Sequence, residues 1–327
     1  MPGVPQKPDN QVALVPESND VRQPRQPSNL QGLLRFAMEA SDGPSSDYQP
    51  APLDPERKEF LENALKSMTV NVTALLRSQI EILKDVENIS ESDVPAKLAA
   101  FETILEYVSD IDMANDFHKI EGFLIFEPCL KSEHEAIRVN ACDLIAELAQ
   151  NNPYIQNVIC TCTNLMPTLL NLIANDISEQ VQVKAIYAVS CISRDSMVGY
   201  KNFLHHKGLE ILKTALNKDH DKIRTKITFL LSALIHLDKY LTTSLLEADF
   251  PSVLVRLIDG DWKPCQEHIL SLLHMIVKGD ELVKSELRKD KYKLKDTLSQ
   301  HLQLIKNKDE CREEQFYCEK ILKIVFK

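Results

Sequence analysis

The sequence has few of the features on which most enzyme sites depend. Only 8 of its 327 residues are glycine, and phosphate-binding loops of the G-x-x-x-x-G-K-[ST] or G-x-G-x-x-G type are absent, as is a G-x-S-x-G nucleophile turn. The spacing of its Ser, Cys, His and acidic residues assembles no nucleophile, base and orienting group. We therefore expect no catalytic residues, no cofactor and no enzyme activity.

Excess positive charge and long apolar runs are also missing. The net charge is -10, which argues against general binding to nucleic acid. No stretch of 18 apolar residues occurs, so we expect no membrane-spanning helix. The first residues, MPGVPQKPDN, carry no apolar signal sequence, and the last, ILKIVFK, carry no retention signal. We expect a cytoplasmic protein and leave access to the nucleus open.

The cysteines do not form a metal-binding pattern. Cys160 and Cys162 are a C-x-C pair, but no second pair follows at zinc-finger spacing. All eight cysteines should be free thiols in a reducing compartment. Cys311 and Cys318 are interpreted as buried packing residues, and we expect no metal site.

Residues 1–55 differ in composition from the rest of the chain. They hold ten of the 16 prolines, and such a segment should be disordered because it cannot bury enough apolar surface. One island, NLQGLLRFAMEAS at 29–41, has the spacing of a short amphipathic helix. It either docks on its own domain or orders on a partner. Its apolar face consists of Leu30, Leu33, Leu34, Ala37 and Met38.

From about residue 56 the pattern is helical and it repeats. Segments 121–152, 164–195, 208–238 and 249–280 each contain an apolar helix, a polar break and a second apolar helix. Equivalent apolar anchors are Val108, Leu148, Ile192, Leu234 and Ile276, at spacings of 40, 44, 42 and 42 residues. A period of about 40 to 47 residues is typical of armadillo and HEAT repeats.

The predicted fold is therefore all-α, an armadillo/HEAT-like right-handed helical solenoid behind a disordered N-terminal tail. Capping helices are expected at 56–88, four repeats at about 95–280, and a helical C-terminal cap at 281–327. A single repeat cannot bury its own apolar face, and stacking supplies the shared core. The single tryptophan, Trp262, lies in a turn, where it anchors the loop or serves as a binding hot spot.

The last helix of each armadillo repeat lines the concave groove. The positions one and five residues before each anchor should point into it, with a lysine one turn earlier in two helices. Tyr187 and Phe229 are either exposed anchors for a partner or, after a one-residue register error, packing residues between repeats. The predicted groove residues are Thr103, Tyr107, Asp143, Glu147, Lys184, Tyr187, Cys191, Lys226, Phe229, Ala233, Ser271 and Met275.

Four separated segments resemble one specific family, the cytosolic heat-shock protein 70 binding proteins, which are nucleotide exchange factors for that chaperone. They are NLQGLLRFAMEA at 29–40, DIDMANDFHKIEG at 110–122, VQVKAIYAVSCISRD at 181–195 and FYCEKILKIVF at 316–326. The resemblance covers nearly the whole chain after residue 28 and also includes segments that lie outside the predicted repeats.

The resemblance implies a partner and a mechanism. The groove would hold one lobe of the chaperone's ATPase domain, so that ADP leaves faster and client is released after ATP rebinds. The 29–41 segment would engage the chaperone's substrate-binding domain. The chain is expected to be a monomer. The alternative is an armadillo adaptor of another kind, such as a ubiquitin-ligase cofactor or a transport adaptor.

Overall fold

In a computed structural model of the chain, the described residues are Pro55, 71–86, 89–279 and 281–326. The tail at 1–54, the amphipathic segment at 29–41 and the first part of the predicted capping region lie outside them. All the helices that follow belong to one compact unit, which begins at Thr69.

The described part of the chain consists of helices and connecting turns, with no strands. The α-helices are α1 (Val72–Lys84), α2 (Val94–Val108), α3 (Ile111–Lys119), α4 (Phe126–Lys131), α5 (Glu135–Ala149), α6 (Pro153–Cys162), α7 (Leu165–Asn175), α8 (Glu179–Ser193), α9 (Met197–His205), α10 (Gly208–Leu216), α11 (Asp221–Leu237), α12 (Leu241–Glu247), α13 (Phe250–Ile258), α14 (Gln266–Gly279), α15 (Glu281–Leu287), α16 (Leu294–Ile305) and α17 (Arg312–Phe326). Short 3-10 helices precede α4, α16 and α17, at Gly122–Ile125, Asp290–Tyr292 and Asp309–Cys311.

From α3 onward the helices form groups of three. In each group a short first helix is followed by a second helix and then by the longest helix of the group. The third helices are therefore α5, α8, α11, α14 and α17. Each third helix packs on the third helix of the preceding group, and α5 packs on α2 in the same way. The all-α solenoid predicted from the repeat spacing is confirmed.

The short first helices were not recognised in the sequence. Helices α6, α9 and α12 have only 10, 9 and 7 residues, too few turns for a clear apolar period. Helices α6 and α9 begin on capping side chains: Asn152 Oδ1 accepts from the Ile155 N–H at 3.3 Å, and Ser196 Oγ accepts from the Gly199 N–H at 3.1 Å. These caps satisfy amide groups that have no partner within the helix.

A glycine permits close packing where α8 meets α9. A Cβ on Gly199 would overlap the backbone carbonyl of Ile192, so no larger residue fits without a shift of the chain. The sharp turn between a third helix and the next first helix therefore depends on this small residue.

The core runs along the whole solenoid. All five anchors named from the sequence, Val108, Leu148, Ile192, Leu234 and Ile276, are buried. They belong to one continuous apolar cluster that extends from α1 to α17. The repeats therefore share a core, as expected for units that cannot fold alone.

A buried ion pair adds a polar connection between two repeats. The Arg138 guanidinium in α5 donates to both carboxylate oxygens of Asp176, at 2.8 and 3.0 Å, and to the carbonyls of Ser132 and Glu133. Asp176 follows α7 in the next repeat, so one side chain fixes the position of two helical groups. Such a two-pronged, nearly solvent-free pair is sensitive to loss of either partner.

Two cysteines and the tryptophan take structural positions. Cys311 and Cys318 are buried, and Cys162 is exposed. Trp262 donates its indole N–H to Glu314 at 2.9 Å, which joins the α13–α14 turn to α17. No group of three potential metal ligands occurs among the described residues. Within the same residues no single helix is long and apolar enough to cross a bilayer. Helices α6 and α7 have the required length and apolarity only when taken together, and the chain bends by 84° between them.

Candidate binding face on the third helices

The third helices form a row in which neighbours pack more closely than the first or second helices do. The more closely packed layer of a curved stack lies on its inner side. The side chains on this layer that are not buried in the core form the face on which the predicted groove residues lie. We call this surface, carried by α2, α5, α8, α11, α14 and α17, the groove face.

An ion pair crosses from α5 to α8. Lys184 Nζ lies 2.7 Å from Asp143 Oδ1, and both side chains are about one-third exposed. The sequence placed both residues in the groove but gave no reason to pair them. The pair leaves this part of the groove face polar but nearly neutral, and it orients both side chains for a partner.

Tyr187 joins three helices. Its hydroxyl donates to Gln150 Oε1 at 2.8 Å, at the end of α5, and Lys226 Nζ of α11 lies 5.1 Å from its ring centre. Burial, followed by the nearby Cys191, raises the pKa of Tyr187 to about 12. The phenol therefore stays protonated and remains a hydrogen-bond donor at neutral pH. The ring is half-buried, so Tyr187 is partly a packing residue and partly open to a partner.

Cys191 is the predicted groove residue whose accessibility the structure contradicts. It is 0% exposed, although its position one residue before the anchor Ile192 suggested an open side chain. The small thiol lies beneath Tyr187, with which it interacts, and burial raises its pKa. Cys191 therefore supports Tyr187 from below and does not contact a partner directly.

Phe229 is the most exposed aromatic side chain of the predicted groove. It is 55% exposed, and its ring lies 4.8 Å from that of His268 in α14. An aromatic ring held on one side by a neighbour and open to solvent on the other has the form of a binding anchor. Lys226, one turn earlier, is exposed as well. The open position of Phe229 shows that the helix register read from the sequence is right for α11.

The other predicted residues extend the groove face in both directions. Thr103 donates its hydroxyl to Ala99 O at 2.9 Å, and so is satisfied by its own helix. Tyr107 and Met275 are half-buried and pack on the core cluster. The remaining half-buried positions are Glu147, Ala233 and Ser271.

Sequence reasoning missed the partners that hold these residues in place. Gln150, His268 and the pair Phe316 and Tyr317 lie on neighbouring third helices, and a single helix pattern does not indicate which of them meet. The contacts pair residues 37 to 43 positions apart, such as Tyr187 with Gln150 and His274 with Tyr317. This offset, close to the repeat period, is the signal that could have found them.

Two family descriptions match consecutive parts of the chain. The sequence model described as "Nucleotide exchange factor Fes1" matches residues 30–117. The one described as "SIL1/FES1/HPBP1 C-terminal domain" matches residues 113–247. The second range includes α5, α8 and α11, and therefore the central part of the groove face.

Individual proteins are similar to this chain over most or about half of its length. Hsp70-binding protein 1 of Rattus norvegicus is 30% identical over 321 residues, which cover 93% of this chain and 87% of that protein. Hsp70-binding protein 1 of Homo sapiens is 28% identical over 317 residues, covering 92% and 86%. The Hsp70 nucleotide exchange factor FES1 of Eremothecium gossypii is 29% identical over 155 residues, covering 47% and 52%.

Solved structures show the same fold. A designed armadillo repeat protein superposes with a TM-score of 0.58 at 16% identity, covering 75% of this chain and 99% of its own. An engineered protein superposes with a TM-score of 0.61 at 17% identity, covering 79% and 99%. At this identity the likeness identifies the armadillo fold alone.

Proposed function

This chain belongs to the SIL1/FES1/HPBP1 family of Hsp70 nucleotide exchange factors, and from that membership we propose that it binds an Hsp70 chaperone and accelerates its release of ADP. The observation that carries the proposal is the 30% identity with rat Hsp70-binding protein 1 over 93% of this chain.

We propose that the groove face holds one lobe of the chaperone's ATPase domain. Support comes from the arrangement of the central helices, where exposed Phe229 and Lys226 lie beside half-buried Tyr187 and the Lys184–Asp143 pair. An aromatic anchor surrounded by oriented charges is the usual composition of a binding hot spot. Binding of one lobe in a rigid groove would favour the open form of the nucleotide pocket, so ADP dissociates and ATP rebinds.

The same proposal makes this chain a non-catalytic partner. The buried cysteines of the described residues have pKa values raised by burial, which makes them weak nucleophiles. We further propose that it acts as a monomer in the cytoplasm, and that residues 29–41 contact the chaperone's substrate-binding domain during client release.

Release of a fluorescent ADP analogue from Hsp70 tests the central proposal. Adding this protein should raise the ADP dissociation rate in a saturable manner, while the protein alone hydrolyses no ATP. Unchanged ADP release at saturating protein would refute the exchange activity. Binding to Hsp70 without faster release would favour the alternative of an adaptor that uses the same face.

A further inference from the structure

The contacts along the groove face end in an aromatic and basic cluster between α14 and α17. The His274 ring lies 6.3 Å from that of Phe316 and 5.5 Å from that of Tyr317. Lys320 Nζ lies 5.2 Å from the centre of the Phe316 ring, which is 49% exposed. The cluster lies beyond residue 247, where the match to the family's C-terminal domain ends.

His274 has an unused hydrogen-bonding atom in this cluster. The residue is only 6% exposed, and its Nε2 has no hydrogen-bond partner among the described residues. A buried polar atom without a partner is costly, so each one in a native structure calls for an explanation. Burial, followed by the charges of Lys278 and Lys320, lowers the pKa of His274, so the ring is neutral at neutral pH. In the Nε2-protonated tautomer it is a donor.

The two lysines beside His274 also lack acidic partners. Neither Lys278 nor Lys320 forms an ion pair with any residue in the part of the chain that the structure describes. Both are exposed. Lys278 also lines a surface cleft of about 530 Å³ whose wall includes Lys239, Tyr240 and Met275. This end of the solenoid therefore combines unpaired positive charge with apolar surface, although the chain as a whole is acidic.

We propose that His274, Lys278, Lys320 and Phe316 form a subsite for a carboxylate carried by the protein that occupies the groove face. The lysines would supply the charge, the imidazole N–H a directed hydrogen bond, and the phenyl ring an apolar wall for the carbon chain of an Asp or Glu. The acidic residue would belong to the Hsp70 ATPase domain, so the inference rests on the proposed function.

Continuity favours this occupant over a free anion. The His274–Phe316 contact belongs to the same series as the Phe229–His268 and Tyr187–Lys226 contacts, each between adjacent third helices. A rigid partner that covers Phe229 would extend along the same row toward α17. The Lys184–Asp143 pair is already neutralised, whereas the basic groups here are not. A negatively charged group of the partner would therefore complement the two lysines at this end.

Charge variants of the full chain test the subsite. Binding of the Hsp70 ATPase domain is titrated at low and at high salt for the wild type, Lys278→Glu and Lys320→Glu. Lys320→Gln removes the charge without reversing it, and His274→Phe keeps an aromatic ring but removes the donor. Lys201→Glu, an equal charge change on exposed α9, is the control. Circular dichroism monitors folding.

Each lysine reversal should weaken binding at least about tenfold at low salt and clearly less at high salt. Lys320→Gln and His274→Phe should weaken it about threefold or more. The control should stay within about twofold of the wild type. Unchanged affinity in the folded cluster variants overturns the subsite and leaves the proposed function intact. An equal loss in the control also overturns it. Failure of the wild type to bind Hsp70 refutes the proposed function and this inference together.

Discussion

Replacing Phe229 by alanine separates binding from stability more cleanly than any other change on the groove face. The side chain is 55% exposed and rests on His268, so the free protein uses only part of its surface. If a partner covers the rest, about 110 Å² of a ring that offers roughly 200 Å² is removed from water on binding. At about 25 cal/mol per Å² this amounts to between 2 and 3 kcal/mol.

The expected loss of affinity is therefore about 30-fold or more, since each ~1.4 kcal/mol corresponds to a factor of ten. The part of the Phe229 ring that is already buried in the free protein is lost in the alanine variant. This loss should lower the free energy of unfolding by at most about 2 kcal/mol. For a domain of this size that lowers Tm by no more than about 8 °C. Calorimetric titration with the Hsp70 ATPase domain measures the first quantity, and thermal unfolding by circular dichroism measures the second.

A control variant defines what counts as refutation. Leu304→Ala removes a similarly half-exposed apolar side chain from α16, which is a second helix and lies off the groove face. It should leave affinity unchanged. If folded Phe229→Ala binds as tightly as the wild type, the partner uses another surface and the groove assignment is wrong. A Tm drop much larger than the limit would show that Phe229 is a packing residue after all.

Three further changes test the buried ion pair, the buried carboxylate Glu314 and the N-terminal segment. Arg138→Ala should cost about 3 to 5 kcal/mol in chemical unfolding, because it leaves the buried Asp176 carboxylate unpaired; a loss below 1 kcal/mol would contradict this. Burial raises the pKa of Glu314, but hydrogen bonds from His301 and Trp262 outweigh burial and lower this pKa overall. The stability that this carboxylate contributes is therefore complete above about pH 4.5 and is lost as the pH falls through the lowered pKa. In Glu314→Gln the free energy of unfolding should depend less steeply on pH in this acidic range. Deleting residues 1–55 should leave Tm and ADP release unchanged but slow client-peptide release, as should Leu33→Ala with Leu34→Ala; a large fall in Tm would indicate that the segment docks on its own domain.

The repeat spacing was sufficient to predict the solenoid and most of the groove register. Anchors such as Leu234 recur at one position per repeat, and a residue that must be buried in every unit leaves a period in the sequence. The residue five places earlier, Phe229, is open to solvent in α11, as expected. Helical geometry alone therefore predicts which side of α11 is open to solvent.

What the sequence did not predict depends on contacts between repeats. The position of Cys191 is equivalent to that of half-buried Glu147, yet it is fully buried because the larger ring of Tyr187 covers it. The Phe229–His268 contact likewise requires the offset between two helices that are 39 residues apart in the chain. Local periodicity carries no information on either, because both are properties of the packed pair.

The cross-helix contacts explain how an exposed face can also be a rigid one. Tyr187 is held by Gln150 and Lys226, and Phe229 by His268, so these side chains lose little further rotational freedom when a partner covers them. Ordering a flexible side chain at an interface costs roughly 0.5 to 1.5 kcal/mol, and that cost is already met in the free protein. A preordered groove also resists deformation, so the strain of a mismatch is transferred to the partner. For an exchange factor, strain in the partner is useful because the partner's nucleotide pocket must open.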